Sequence, residues 1–180
     1  TKKVLEMAER MNYKPNYLAK SLRTGKSFTI GLIIADISNP FFAKLARYIE
    51  IEASKYNYSV IFSSSDEKKS KFSSQLEILK DRHVDGLILT PPIGSEEELA
   101  QLIKEKIPFV ILDRIFEDIN VPTVNINNYQ AAYNATVRLI KNHRKHIALL
   151  NTNLELISMQ HRAQGYMDAL TDHGFDPDPS

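Results

Sequence analysis

Apolar positions along this chain follow two alternating periods. Residues 28–35 (Phe28, Thr29, Ile30, Gly31, Leu32, Ile33, Ile34, Ala35) form a nearly continuous apolar run, the pattern of a strand covered on both faces. Asn39-Pro40 then predicts a helix start, with Asn as the cap and Pro at the first helical position, where its missing donor costs nothing. Phe42, Leu45, Ala46, Ile49 and Ala53 recur at helical spacing and predict the buried stripe. The unit repeats: strand 58–63, helix 70–82, strand 84–89, helix 96–104, strand 109–112. This alternation implies right-handed crossovers and an α/β, doubly wound parallel sheet. A short strand at 123–125, a helix at 129–141, a strand at 146–150 and a helix at 158–173 predict the opening of a second α/β unit. The closing Asp176-Pro177-Asp178-Pro179-Ser180 reads as a turn with no final strand, so the chain is expected to be incomplete at both ends.

The N-terminal stretch follows other rules. Val4, Met7, Ala8 and Met11 lie at helical spacing, with Leu5 beside them, and Pro15 forces a break because the residue before a proline is pushed out of the helical region. Asn16 can cap a second helix of about two turns, residues 17–23, with Leu18, Ala19 and Leu22 on one face and Gly25 at its end. A helix that short is marginal alone in water and orders only when something holds it.

Charge sharpens this division. Residues 1–30 hold seven Lys/Arg against two Glu, a net of +5, whereas the other 150 residues carry 16 basic and 20 acidic side chains, a net of −4. A near-neutral total thus hides a basic end, the asymmetry expected of a polyanion binder. Cysteine is absent, which excludes disulfides and thiolate metal sites and suits a reducing compartment. No apolar run approaches the roughly 18 residues of a membrane span, and the charged start is no signal peptide, so a soluble, cytoplasmic protein without a membrane partner is expected.

Catalytic and cofactor signatures are missing. There is no GxGxxG, GxxxxGK[ST] or GxSxG motif, glycine totals six, and no carboxylate pair is spaced for acid–base work. His143 and His146 sit among bases, poor surroundings for a cation. No enzyme activity, cofactor or metal is therefore expected. The polar residues that matter lie at the carboxyl ends of the predicted strands, where open α/β sheets bind ligands: Asp36 with Phe41 and Phe42, Ser63 to Asp66, and Asp113 with Arg114. Aromatic rings beside acidic and basic groups suit a small polar ligand such as a sugar.

The segments NYKPNYLAKSLRTGKS (12–27), IGLIIADISNPFF (30–42), VDGLIL (84–89), IPFVILDR (107–114), HRKHIALL (143–150) and HRAQGYMDAL (161–170) together resemble the LacI/GalR (lactose-repressor) family of transcription regulators. The resemblance covers essentially the whole chain. It implies a helix-turn-helix headpiece, a hinge helix and an effector core similar to periplasmic sugar-binding proteins. Residues 1–14 would then be the last headpiece helix, 15–27 the hinge helix and linker, 28–125 the N-terminal subdomain, and 126–180 the start of the C-terminal one.

On that template Asn16, Tyr17, Ala19, Lys20, Leu22 and Arg23 resemble the DNA-binding hinge residues. Leu22 matches the leucine wedge, and an apolar side chain on a basic helix can unstack and kink a duplex. Phe41, Phe42, Asp113 and Arg162 match effector-binding positions, with Arg162 taken from the RxxG pattern that ends at Gly165. Three departures stand out: Asn127-Asn128 where the family has Asp-Asn, Asn151-Thr152-Asn153 in place of Gly-Pro, and Leu156 where purine-binding relatives carry an arginine. They favour a sugar or sugar phosphate over a purine. The resemblance implies a ligand-responsive DNA-binding repressor with operator DNA and a small-molecule effector as partners. It also implies a homodimer formed through helices near 40–56 and 67–82. A periplasmic-type solute-binding protein is the alternative, and the basic arm counts against it.

Overall fold

The computed structural model describes residues 3, 6, 7, 10, 11, 25–116 and 118–176. In the N-terminal stretch Lys3, Glu6, Met7 and Arg10 are helical, and the Met11 amide donates to the Met7 carbonyl at 2.9 Å. The hinge residues expected to touch DNA, from Asn16 to Arg23, lie outside the described residues.

Five strands, all parallel, form one sheet: β1 (Thr29–Ile34), β2 (Ser59–Ser64), β3 (Gly86–Leu89), β4 (Phe109–Leu112) and β5 (Thr123–Val124), in the order β2-β1-β3-β4-β5. The helices α1 (Pro40–Lys55), α2 (Lys69–Asp81) and α3 (Glu96–Glu105) are the crossovers. Strand β1 is an interior strand, paired with β2 on one side and β3 on the other, and Leu32, Ile33, Ile34 and Ala35 are fully buried. That is the burial expected of its unbroken apolar run.

Alternate side chains of β1 face opposite layers. Ile33 joins Leu87, Leu89 and Ile111 against Phe72, Leu76 and Leu79 of α2 and Leu99 and Leu102 of α3. Leu32 and Ile34 face the other way, against Phe42 and Ala46 of α1, with Leu45 and Ile49 at the margin. Gly31 allows the first layer to close, because a Cβ there would lie 2.7 Å from side-chain atoms of both Leu79 and Leu87. Truncating Leu79 in this layer should cost about 2–5 kcal/mol, the usual range for a buried Leu→Ala change. Helix α1 starts as the sequence predicts: Asn39 has extended backbone (φ −74°, ψ 118°), its side chain accepts the Phe41 amide at 3.0 Å, and Pro40 follows.

Beyond β5 the chain forms two helices, α4 (Asn128–Lys141) and α5 (Ile157–Asp172), which pack on each other. Gly165 sets their spacing. A Cβ at this position would fall 2.2 Å from the Tyr129 carbonyl oxygen, so the α5 backbone lies directly on the first turn of α4. Two phenols bind the helices further, with Tyr129 donating to Asp168 and Tyr133 to Asp172, each at 2.9 Å.

The strand expected at residues 146–150 is not formed. This segment has no ladder partner among the described residues, and Leu150 is 98 % exposed. An apolar run becomes a strand only beside another strand, because its backbone groups need partners.

Candidate functional site

The site lies at the carboxyl ends of the sheet strands, where they face the α4–α5 pair. Asp113 directly follows β4 in left-handed backbone (φ 60°), and its amide donates to the Val124 carbonyl of β5 at 3.0 Å. Two further non-glycine residues at this rim, Asp66 and Glu67 after β2, are also left-handed (φ 50° and 54°).

Arg114 organises the charges. Only 7 % of its side chain is exposed. Nη1 donates to the Asp113 carboxylate and to the Asp113 carbonyl, both at 3.0 Å, and Nη2 donates to Glu67 Oε1. The guanidinium carbon lies 6.0 Å from the Phe42 ring centre, and the Asn125 amide donates to the Arg114 carbonyl at 3.0 Å. Nε of Arg114 is buried with no hydrogen-bond partner among the described residues, as is the Thr90 hydroxyl at the end of β3. An unmade bond from a buried donor costs about 1–3 kcal/mol, which a ligand oxygen can recover.

Across the gap, Arg162 on α5 donates from Nε to Asn128 Oδ1 at 2.7 Å. Asn128 is buried at the start of α4 and also donates to the Ile126 carbonyl at 3.3 Å. Its neighbour Asn127 caps the helix, accepting the Gln130 amide at 2.9 Å. Arg162 is close enough to act on Asp113: burial pushes the Asp113 carboxyl up, Arg114 and Arg162 pull it down, and the balance leaves it above the ordinary aspartate value. Groups from both sides of residue 126 thus meet in one electrostatic neighbourhood.

A cavity of about 210 Å³ opens beside Arg114, bounded by Pro91 and Ile93, by Ile115, Phe116, Asp118 and Ile119, and by residues 155–158 before and within the first turn of α5. That is below the roughly 300–1,000 Å³ of pockets that enclose drug-sized molecules, a scale suited to a small polar ligand.

The sequence-predicted residues distribute as follows. Asp113 and Arg162 face one another electrostatically, yet neither lines the cavity; Arg114 does. Phe42 belongs to the core beneath Arg114, while Phe41 stacks edge-on against it at 5.1 Å and is 45 % exposed, so only Phe41 is an open apolar surface. Asp36 is turned into its own loop, 2.7 Å from the Ser38 hydroxyl. Sequence reasoning missed Glu67, Asn128 and Ser158, which is buried and lines the cavity. The signals available were the polar run after β2 and the Asn-Asn pair ahead of α4. Among the described residues no cluster of His, Asp or Glu could hold a metal ion.

A doubly wound parallel sheet whose carboxyl-end rim faces a helical pair across a charged gap defines a periplasmic-binding-protein-like ligand-binding core. The family described as periplasmic binding proteins and sugar binding domain of LacI family matches residues 27–179, and the chain belongs to this family. Among similar proteins, catabolite control protein A of Priestia megaterium is 40 % identical over 174 residues, covering 96 % of this chain and 52 % of that protein. The ribose operon repressor of Halalkalibacterium halodurans is 37 % identical over 93 % of this chain and 49 % of its own length. The chain therefore spans about half the length of these curated relatives. Among solved structures, the transcription regulator CcpA of Lactococcus lactis superposes with a TM-score of 0.74 at 30 % identity, covering 84 % of this chain and 56 % of that one. A periplasmic binding protein/LacI transcriptional regulator from Alkaliphilus metalliredigens, complexed with D-xylulofuranose, gives 0.74 at 27 % identity over 83 % of this chain and 55 % of that one.

Proposed function

We propose that this chain is the arm and sensing core of a DNA-binding transcriptional repressor that responds to a sugar or sugar phosphate. The observation that carries the reading is a cavity lined from both sides of residue 126, by Arg114 and Phe116 on one and by Glu155 and Ser158 on the other, with Arg162 acting across the same gap on Asp113. A ligand held by both would bridge residues 28–125 and 126–180, the two subdomains of this proposal, and its binding energy would favour their closure. Arg114 adds an unpaired buried donor beside the cavity, a feature that suits hydroxyl or phosphate oxygens. The repressor names of the relatives and the sugar bound to the Alkaliphilus metalliredigens protein support the same ligand class.

In this reading residues 1–14 end the headpiece and residues 15–27 are the hinge and linker. Asn16, Tyr17, Ala19, Lys20, Leu22 and Arg23 meet operator DNA, Phe41, Asp113 and Arg162 hold the effector with Phe42 supporting the site from the core, and no reaction is catalysed. Such a regulator works in the cytoplasm as a homodimer. The exposed Tyr48 and Ile51 of α1 are apolar surface available to a second copy. Among the described residues no helix is long and apolar enough to cross a membrane.

The effector changes DNA affinity only through its different affinities for open and closed cores. Two measurements on the full-length protein test this: a thermal-shift screen of sugars and sugar phosphates, and selection of bound duplexes from a random library. A ligand at 100 times its Kd should add about 2.7 kcal/mol of apparent stability. A selected duplex whose affinity changes with that ligand is the expected result. Ligand binding with no selected duplex would favour a solute-binding protein.

A further inference from the structure

The end of the sheet opposite the cleft holds a junction for which the effector site has no use. The Asp85 carboxylate, just before β3, receives three hydrogen bonds from the chain entering β1: Ser27 N to Oδ1 at 2.7 Å, Ser27 Oγ to Oδ1 at 2.8 Å, and Phe28 N to Oδ2 at 3.0 Å. The Tyr58 hydroxyl, just ahead of β2, bonds to the same carboxylate, and the Phe28 and Tyr58 rings lie 5.6 Å apart. Burial pushes the Asp85 carboxyl up, and the bonds from Ser27, Phe28 and Tyr58 more than reverse that, holding it below the ordinary aspartate value.

The grip imposes an unusual backbone. Phe28 is left-handed, at φ 52°, where a bulky residue is an outlier held only by its surroundings. Around it the ladder is already complete, with Ser59 N donating to the Phe28 carbonyl at 2.9 Å and Asp85 N to the Thr29 carbonyl at 2.8 Å. A single side chain therefore joins the amino ends of β1, β2 and β3. Their carboxyl ends reach the cleft rim: β1 leads to Asp36, β2 to Asp66 and Glu67, and β3 to Thr90 and to Pro91 of the cavity wall. Strands of this length span roughly 13–20 Å at 3.3 Å per residue and are stiff along their axes. The basic arm leaves the core at the residue this carboxylate holds.

We propose that Asp85 is a positioning residue, a clasp that fixes the direction in which the basic arm leaves the sheet, so that strand movement at the cleft alters arm geometry. This rests on the regulator reading and names the regulatory joint of that same protein. A carboxylate suits the task because both of its oxygens accept, whereas asparagine, with an NH2 group in place of the second oxygen, cannot hold the Ser27 and Phe28 amides together in this way.

The test uses the full-length protein and its Asp85→Asn and Ser27→Ala variants. The readouts are deuterium exchange at the Ser27 and Phe28 amides, melting temperature, and affinity, at one salt concentration, for the duplex selected by the parent. For Asp85→Asn, exchange at both amides should rise about tenfold while exchange in β1 and β3 stays parental. Duplex affinity should fall about fivefold or more, beyond what any loss of melting temperature explains. Ser27→Ala, which leaves the carboxylate intact, should give a smaller effect of the same sign, and decides the matter if Asp85→Asn does not fold. Parental affinity in a variant whose amides exchange faster would overturn the clasp alone, and so would unchanged exchange. Failure of the parent to select any duplex would overturn the regulator reading and the clasp with it.

Discussion

Arg162 Nε donates to Asn128 Oδ1 at 2.7 Å, and that bond forms because Gly165, one turn along α5, has no side chain to hold the helices apart. The RxxG pattern therefore couples a steric requirement to an electrostatic one. Gly165→Ala forces its Cβ onto the Tyr129 carbonyl, a backbone atom that cannot swing away. The expected cost is about 3 kcal/mol, the upper end of typical overpacking, read as a lower midpoint in urea. Effector affinity should fall as well, since Arg162 moves with α5.

The Asp113 carboxyl is raised by burial more than Arg114 and Arg162 lower it. A raised carboxylate contributes stability that is complete below the unfolded value and is lost as pH climbs through the folded one. Near neutral pH the ionised group therefore opposes folding. Asp113→Asn, neutral throughout, should melt above the parent at about pH 7, and the two curves should converge towards about pH 4. Its effector affinity should drop about tenfold or more, the worth of a buried charged hydrogen bond. A variant that melts lower at neutral pH and binds ligand normally would refute the assignment.

Replacing Arg114 with methionine preserves much of its bulk over Phe42 and removes the ion pairs to Asp113 and Glu67. Glu67 is half exposed and can rehydrate, whereas Asp113 is left buried without its nearest countercharge. Breaking a buried pair in this way should cost about 3 kcal/mol, measured by chemical denaturation.

At the basic arm, Leu22→Ala should weaken binding of the selected duplex about tenfold while the sugar-induced melting shift stays parental. Equal duplex affinities for mutant and parent at fixed salt would remove the wedge.

Ile51 on α1 is 39 % exposed. If α1 meets a second copy, Ile51→Glu should convert a dimer into monomer in light scattering at about 20 µM without lowering the monomer's melting temperature, because interface charges cost association and not folding.

The sheet and its helices were readable because their signals are local. The apolar run of β1, the Asn39-Pro40 start of α1 and the stripe through Phe42 and Ala46 each state their own environment. Residues 146–150 carry an equally apolar run, but pairing depends on a neighbour that local pattern cannot supply. The same limit affects the site. Asp113 and Arg114 were visible as a strand-end pair, yet which of them lines the cavity follows from the Asp113 turn at φ 60° and from Glu67, 47 positions away. Asn128 was visible only as a departure in a motif, and its partner lies on another helix.

The left-handed backbone at Asp66, Glu67 and Asp113 has a consequence for laboratory evolution. Each position charges the fold about 1 kcal/mol or more for carrying a side chain where glycine would sit at ease. Selection for heat resistance alone, with no demand on ligand sensing, should drift towards glycine first at Asp66, whose ion pair with Lys71 is exposed, and should spare Glu67 and Asp113 while they hold the buried Arg114. Left-handed positions that such a campaign leaves alone, set against Asn57, His83, Lys106 and His143 elsewhere in the fold, would then outline the sensing rim without any ligand in hand.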